Sequence, residues 1–166
     1  LRPIVIISLA ALLGTCSSQP PLLDQVLETG ELRVVTRDSP TAYTIGPDGP
    51  SGPEFDLVQA FADDLGVALV IEPVSSVSEI LPMLLSGGAH MAAAGLSITD
   101  TRREYLNFGH PYDSVDVHLI YKLGTGRPRS LDDVLERSIE VMAASSHVDL
   151  LTSIQEQYPT LAWAEN

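Results

Sequence analysis

The stretch from Leu32 to Glu72 constrains the fold more than any other. Leu32 to Thr36 (LRVVT) is a compact β-branched run. Over Glu54 to Leu65, Phe55, Val58, Phe61, Ala62 and Leu65 recur at helical spacing, and Gly66 stands where a helix C-cap favours glycine. Val67 to Glu72 is apolar again. A strand, a helix and a strand in this order predict two parallel strands joined by a right-handed crossover, and hence an α/β fold. Asp38 to Pro53 is rich in Pro, Gly, Asp and Ser and reads as a loop, with Pro47-Asp48-Gly49 a strong turn signal.

The rest of the chain extends this pattern. Asp24 to Thr29 predicts a brief helix closed by Gly30. Ser78 to Ser86 predicts a second helix, with Pro82 tolerable near its start or as a kink, and Met91 to Ala94 a third strand. Val115 to Tyr121 alternates and reads as another strand. Lys122 to Ser130, with two glycines and Pro128, reads as a linker or hinge. Beyond it, Leu131 to Leu135 predicts a helix, Ile139 to Ala143 a strand, His147 to Gln157 a helix, and Leu161 to Ala164 the start of a strand. Ser145-Ser146 stands at the last helix's start, with Asp149 in a capping-box-like position after Ser146. A second α/β unit therefore begins after the hinge without being completed.

Composition narrows the partners. The 166 residues carry 22 acidic against 9 basic side chains, a net charge of −13, with no basic stripe. Nucleic acid is disfavoured, because phosphate neutralisation needs clustered Lys and Arg. Arg2 followed by the apolar run Ile4 to Leu13 reads as an export signal too short to span a bilayer. Cys16 is the only cysteine, so no intramolecular disulfide is possible.

No metal-ligand spacing joins His90, His110, His118 and His147, and no nucleophile motif or phosphate loop is present, so neither a metal nor a cofactor is expected and nothing argues for catalysis within this chain. Asp63-Asp64 and Asp132-Asp133 read as solvated helix faces. The chemistry concentrates in Ala92 to Tyr112. Gly95 lets a ligand approach the backbone, and Ser97 and Thr99 offer hydroxyls and N–H groups at a helix start, an anion-competent position. Cations in a first helical turn oppose the helix dipole, so Arg102 and Arg103 either hold an anion there or pair with Asp100 or Glu104 at the surface.

These residues resemble the family 3 solute-binding proteins with the type II periplasmic-binding-protein fold, from Gly30 to Asn166. The resemblance rests on Gly30-Glu31-Leu32-Arg33-Val34, on Gly52-Pro53-Glu54-Phe55-Asp56-Leu57, and on Ala94 to Thr99 with Arg102 and Phe108 to Tyr112, similar to AGxSxTxxR…FSxPY. It implies a first lobe over residues 30–121, nearly complete, a hinge at 122–130, and a truncated second lobe from 131, preceded by a signal at 1–16 and a tether at 17–29. It further implies that Arg102 grips a ligand carboxylate with help from Ser97 and Thr99, that Ser145 and Ser146 face it from the second lobe, and that Tyr43 lines the first-lobe wall. Val77 stands where transport-type members often carry a stacking aromatic.

A narrower resemblance is to the non-catalytic domain of the membrane-bound lytic murein transglycosylase F group, carried by Ser39-Pro40-Thr41-Ala42-Tyr43, Phe61 to Val67, Ala92 to Leu96, Ser145 to Val148 and Tyr158 to Trp163. Leu13-Gly14-Thr15-Cys16 resembles a lipobox, which implies acylation of Cys16, and Ser17 after it implies outer-membrane sorting. The resemblance implies a periplasmic sensor of an amino acid or muropeptide fragment, with peptidoglycan engaged through a further, lysozyme-like domain. The alternatives are an amino-acid-binding lipoprotein feeding an ABC importer and an enzyme on the same fold such as a cyclohexadienyl dehydratase, which would need acid/base groups lining the cleft.

Overall fold

A computed structural model describes residues 20–166. The stretch read above as an export signal and lipobox, Cys16 included, lies outside the described residues. The first lobe is built on a three-stranded parallel sheet of β1 (Glu31–Arg37), β4 (Ala68–Val74) and β5 (Met91–Ala92), in the order β4-β1-β5. β1 is central and buries both faces, as parallel strands do. Leu32 and Val34 point toward α1 (Leu22–Thr29) and α2 (Pro53–Leu65), where they pack with Val26, Val58 and Ala62. Val35 points the other way, into a second cluster with Val74, Ile80, Ala89 and Ala94 beneath α3 (Ile80–Leu85). Val26 makes α1 part of this core.

The expected loop between β1 and α2 contains a hairpin that periodicity did not predict. β2 (Thr44–Gly46) pairs antiparallel with β3 (Gly49–Ser51) around Pro47-Asp48, so the turn signal was right and the short strands flanking it were missed. Pro82 proves harmless. A 3-10 turn over Val77–Glu79 precedes α3, its Ser76 and Glu79 form a reciprocal capping box, and Pro82 therefore falls in α3's first turn, where no intrahelical N–H is needed.

The clearest correction concerns Val115 to Tyr121, which pairs with no strand among the described residues and is exposed throughout. Alternation only labels side chains, and a strand also needs a neighbour's backbone to complete its ladder. The second lobe contributes a separate two-stranded parallel sheet, β6 (Ile139–Val141) with β7 (Trp163–Glu165), flanked by α5 (Leu131–Leu135) and α6 (Ser146–Gln155). Asp133 is not a merely solvated charge, since it closes a capping box with Ser130 at the start of α5. At α6 the expectation fails in the opposite sense. Its N-cap is Ser145, and no side chain caps it.

Candidate functional site

The carboxyl ends of β1 and β5 lie side by side, the edge at which open α/β sheets receive ligands. Beyond β5 the chain is stitched to β1. The Ala93 N–H donates to the Val35 carbonyl at 3.0 Å, Thr36 Oγ1 donates to the Ala93 carbonyl, and Arg37 Nε donates to the Ala94 carbonyl at 3.2 Å. Gly95 then turns the chain at φ 65°, a left-handed conformation that suits glycine.

Glu54, only 6% exposed, holds this turn from α2. Its Oε2 accepts the Gly95 N–H at 2.7 Å and its Oε1 accepts the Tyr112 hydroxyl. As the second residue of α2, after Pro53, it also places its carboxylate where the helix dipole stabilises negative charge. The Tyr112 ring is largely exposed but its hydroxyl is desolvated. Desolvation, then the bond to Glu54, pushes its pKa up to about 12, so the phenol remains a donor across the neutral range.

Past the turn, Thr99 is the N-cap of the short α4 (Asp100–Arg103), where its Oγ1 accepts the Arg102 N–H at 3.2 Å. The cap returns Arg102 toward the turn. Its Nη1 donates to the Ser97 carbonyl at 2.9 Å and its Nη2 to the Ala144 carbonyl of the second lobe at 3.0 Å, so these donors do not go to Asp100 or Glu104. Burial lowers the guanidinium pKa from its ordinary value, an effect opposed by the nearby Asp149 carboxylate. Ser146 Oγ donates to Ser97 Oγ at 3.2 Å, a second link between the lobes. Ala144, at φ 56°, is the one non-glycine residue with positive φ among those described, and it delivers the chain to the head of α6. There the buried Ser145 Oγ has no hydrogen-bond partner among the described residues.

The fold thus gathers Gly95, Ser97, Thr99, Arg102, Ser145 and Ser146 along one interlobe seam. Tyr43 is placed at the start of α2. Its ring lies 5.7 Å from that of Phe55, and its backbone closes the Ser39–Tyr43 turn behind the start of α2. His90 is structural, since its Nδ1 accepts the Arg33 N–H at 3.1 Å, and no cluster of three or more metal-ligating side chains occurs among the described residues. Sequence reasoning missed Glu54 and Arg37. A carboxylate immediately after the first proline of a helix was the available signal for Glu54, and nothing local marked Arg37.

With that geometry in hand, comparison with known proteins is decisive about family. Residues 32–160 match the profile of the bacterial extracellular solute-binding proteins, family 3. The chain belongs to that family. It is 40% identical over 156 residues to membrane-bound lytic murein transglycosylase F of Pseudomonas putida, a match covering 93% of this chain and 32% of the relative. The corresponding protein of Saccharophagus degradans is 34% identical over 161 residues, covering 97% of this chain and 32% of the relative. The chain therefore spans about a third of these relatives' length.

Among solved structures, an amino acid ABC transporter substrate-binding protein from Streptococcus pneumoniae bound to L-arginine is similar at TM-score 0.69 and 27% identity, over 89% of this chain and 63% of the other. The ancestral amino-acid-binding protein AncCDT-1, a precursor of cyclohexadienyl dehydratase, has the same fold at TM-score 0.70 and 23% identity, over 88% and 65%. This family 3 domain accordingly has the type II periplasmic-binding-protein fold and is related to amino-acid-binding proteins and to part of the lytic transglycosylase F chain.

Proposed function

We propose that the domain is the ligand-sensing module of a lytic murein transglycosylase-like envelope protein, and that it binds a carboxylate-bearing small molecule, an amino acid or muropeptide fragment, between its lobes. The observation that supports this most is the position of Arg102. Its guanidinium bridges carbonyls of both lobes and uses two of its five N–H donors in doing so, leaving three for an anion. A carboxylate entering there meets a rigid fork, the Ser97 and Ser146 hydroxyls, and the head of α6 with the unpartnered Ser145 Oγ. Because the ligand touches both lobes, it favours the arrangement in which they meet, and that difference in affinity is what biases a covalently linked neighbour.

Val77 supports sensing over transport. Where a stacking aromatic would grip a ligand, Val77 is instead packed against the core beneath α3. The likeness to an ABC transporter binding protein keeps uptake as the second reading. A calorimetric titration of the full-length protein tests the site. L-Alanyl-D-glutamate is expected to bind and its dimethyl ester, whose carboxylates are capped, is not. Equal binding of acid and ester would overturn the carboxylate reading.

The same proposal anchors the protein through acylated Cys16 in the outer membrane, facing the periplasm. Replacing Cys16 with Ser should move the protein from the membrane to the soluble fraction. Retention of the variant in washed membranes would exclude a lipid anchor at this residue.

A further inference from the structure

We propose that Arg37 forms a second anion-binding position in the same cleft, so that the preferred ligand carries two acidic groups and a ligand with a cationic side chain is rejected. This rests on the proposed function above and specifies its ligand class. Arg37 is the last residue of the central strand β1, half-buried at the carboxyl edge of the sheet. Its Nε is anchored on the Ala94 carbonyl, and its Nη2 lies 3.9 Å from the place a Cβ on Gly95 would occupy. The guanidinium therefore lies against the turn that leads directly to Ser97 and Arg102.

Neither Nη nitrogen of Arg37 hydrogen-bonds to an acceptor among the described residues. Both oxygens of Glu54, the buried carboxylate on the same turn, are already engaged by Gly95 and Tyr112, and Asp38, next in the chain, is exposed. A half-buried cation with open donors is favourably completed by an anion. Two guanidinium groups attached to one turn suit a dicarboxylic amino acid or an acidic peptide, one acidic group at each. They oppose a guanidinium or ammonium side chain by like-charge repulsion, which gives selectivity by exclusion. This sets the chain apart from the structurally similar binding proteins solved with arginine.

The test is a calorimetric comparison of L-alanyl-D-glutamate, L-alanyl-D-alanine and L-arginine on the full-length protein and on its Arg37→Ala and Arg37→Lys variants. The wild type should favour the dicarboxylate over L-alanyl-D-alanine by about tenfold to a hundredfold, the range expected for hydrogen bonds to charged groups, and should not bind L-arginine. Arg37→Ala should erase that preference by weakening L-alanyl-D-glutamate far more than L-alanyl-D-alanine, and Arg37→Lys should keep part of it. A wild type without preference, or a preference that survives Arg37→Ala, overturns the role of Arg37 while Arg102-dependent carboxylate binding still stands. If the dimethyl ester binds as well as the free acid, both readings fail together.

Discussion

Replacing Arg102 with Ala is expected to weaken carboxylate-ligand binding by more than about a hundredfold, the loss typical of truncating one partner of a buried charge pair. The side chain stands where the two lobes meet, with one amino group on the Ser97 carbonyl and the other on the Ala144 carbonyl. Removing it deletes the fork and leaves those carbonyls to water. Arg102→Lys separates charge from shape. A lysine keeps the positive charge but offers a point donor in place of two parallel bonds, so binding should recover only in part. Calorimetry decides the matter, with thermal unfolding of each variant to confirm that the first lobe remains folded. Wild-type affinity in a folded Arg102→Ala protein would remove the residue from the site.

The largest stability loss is expected at Gly52. This residue caps α2 at φ 142° and ψ 147°, a region that side chains other than hydrogen scarcely enter. A Cβ there would stand 2.4 Å from the Ala42 carbonyl oxygen and 2.9 Å from its carbon, both main-chain atoms of a buried residue. That carbonyl also accepts the Phe55 N–H at 3.1 Å, one of the helix-start donors of α2. Gly52→Ala must therefore displace either the Ser39–Tyr43 turn or the helix start. Strain and the lost bond together should cost about 3 kcal/mol, seen as a fall of roughly 6 to 12 °C in Tm. Gly46→Ala in the neighbouring hairpin is the control, since its added Cβ makes only an ordinary contact at 3.8 Å with the Gly49 carbonyl. Equal stability of the two variants would show that the turn yields freely. Because α2 also carries Glu54, Gly52→Ala should loosen the Gly95 turn as well, and so link a remote backbone position to the cleft.

How much of this was readable in the linear chain follows from the range of the forces involved. β1, α2, β4 and the boundaries at Gly30 and Gly66 were visible because side-chain periodicity and glycine end signals act within a few residues. The polar turn after Gly95 was visible for the same reason, since Thr99 caps a helix that begins at the next residue. The same local logic misread Ser146 and Asp149 as a capping pair, because the cap position is set by where the backbone turns. That turn is at Ala144, in a left-handed conformation that no local residue pattern announced.

The sequence by itself determined the α/β class, the parallel crossover and the position of the Ser97–Arg102 turn, since each depends on neighbours in the chain or on a pattern that repeats along it. Only the tertiary structure decided what surrounds that turn. Glu54 meets Gly95 across 41 residues and Tyr112 across 58, Arg37 meets Ala94 across 57, and Arg102 meets Ala144 across 42. It also decided that Val115 to Tyr121, despite its alternation, forms no ladder with the described residues. Such partnerships depend on which segments the packed core brings together, and hydrogen bonds between distant residues leave no periodic trace in the chain that makes them.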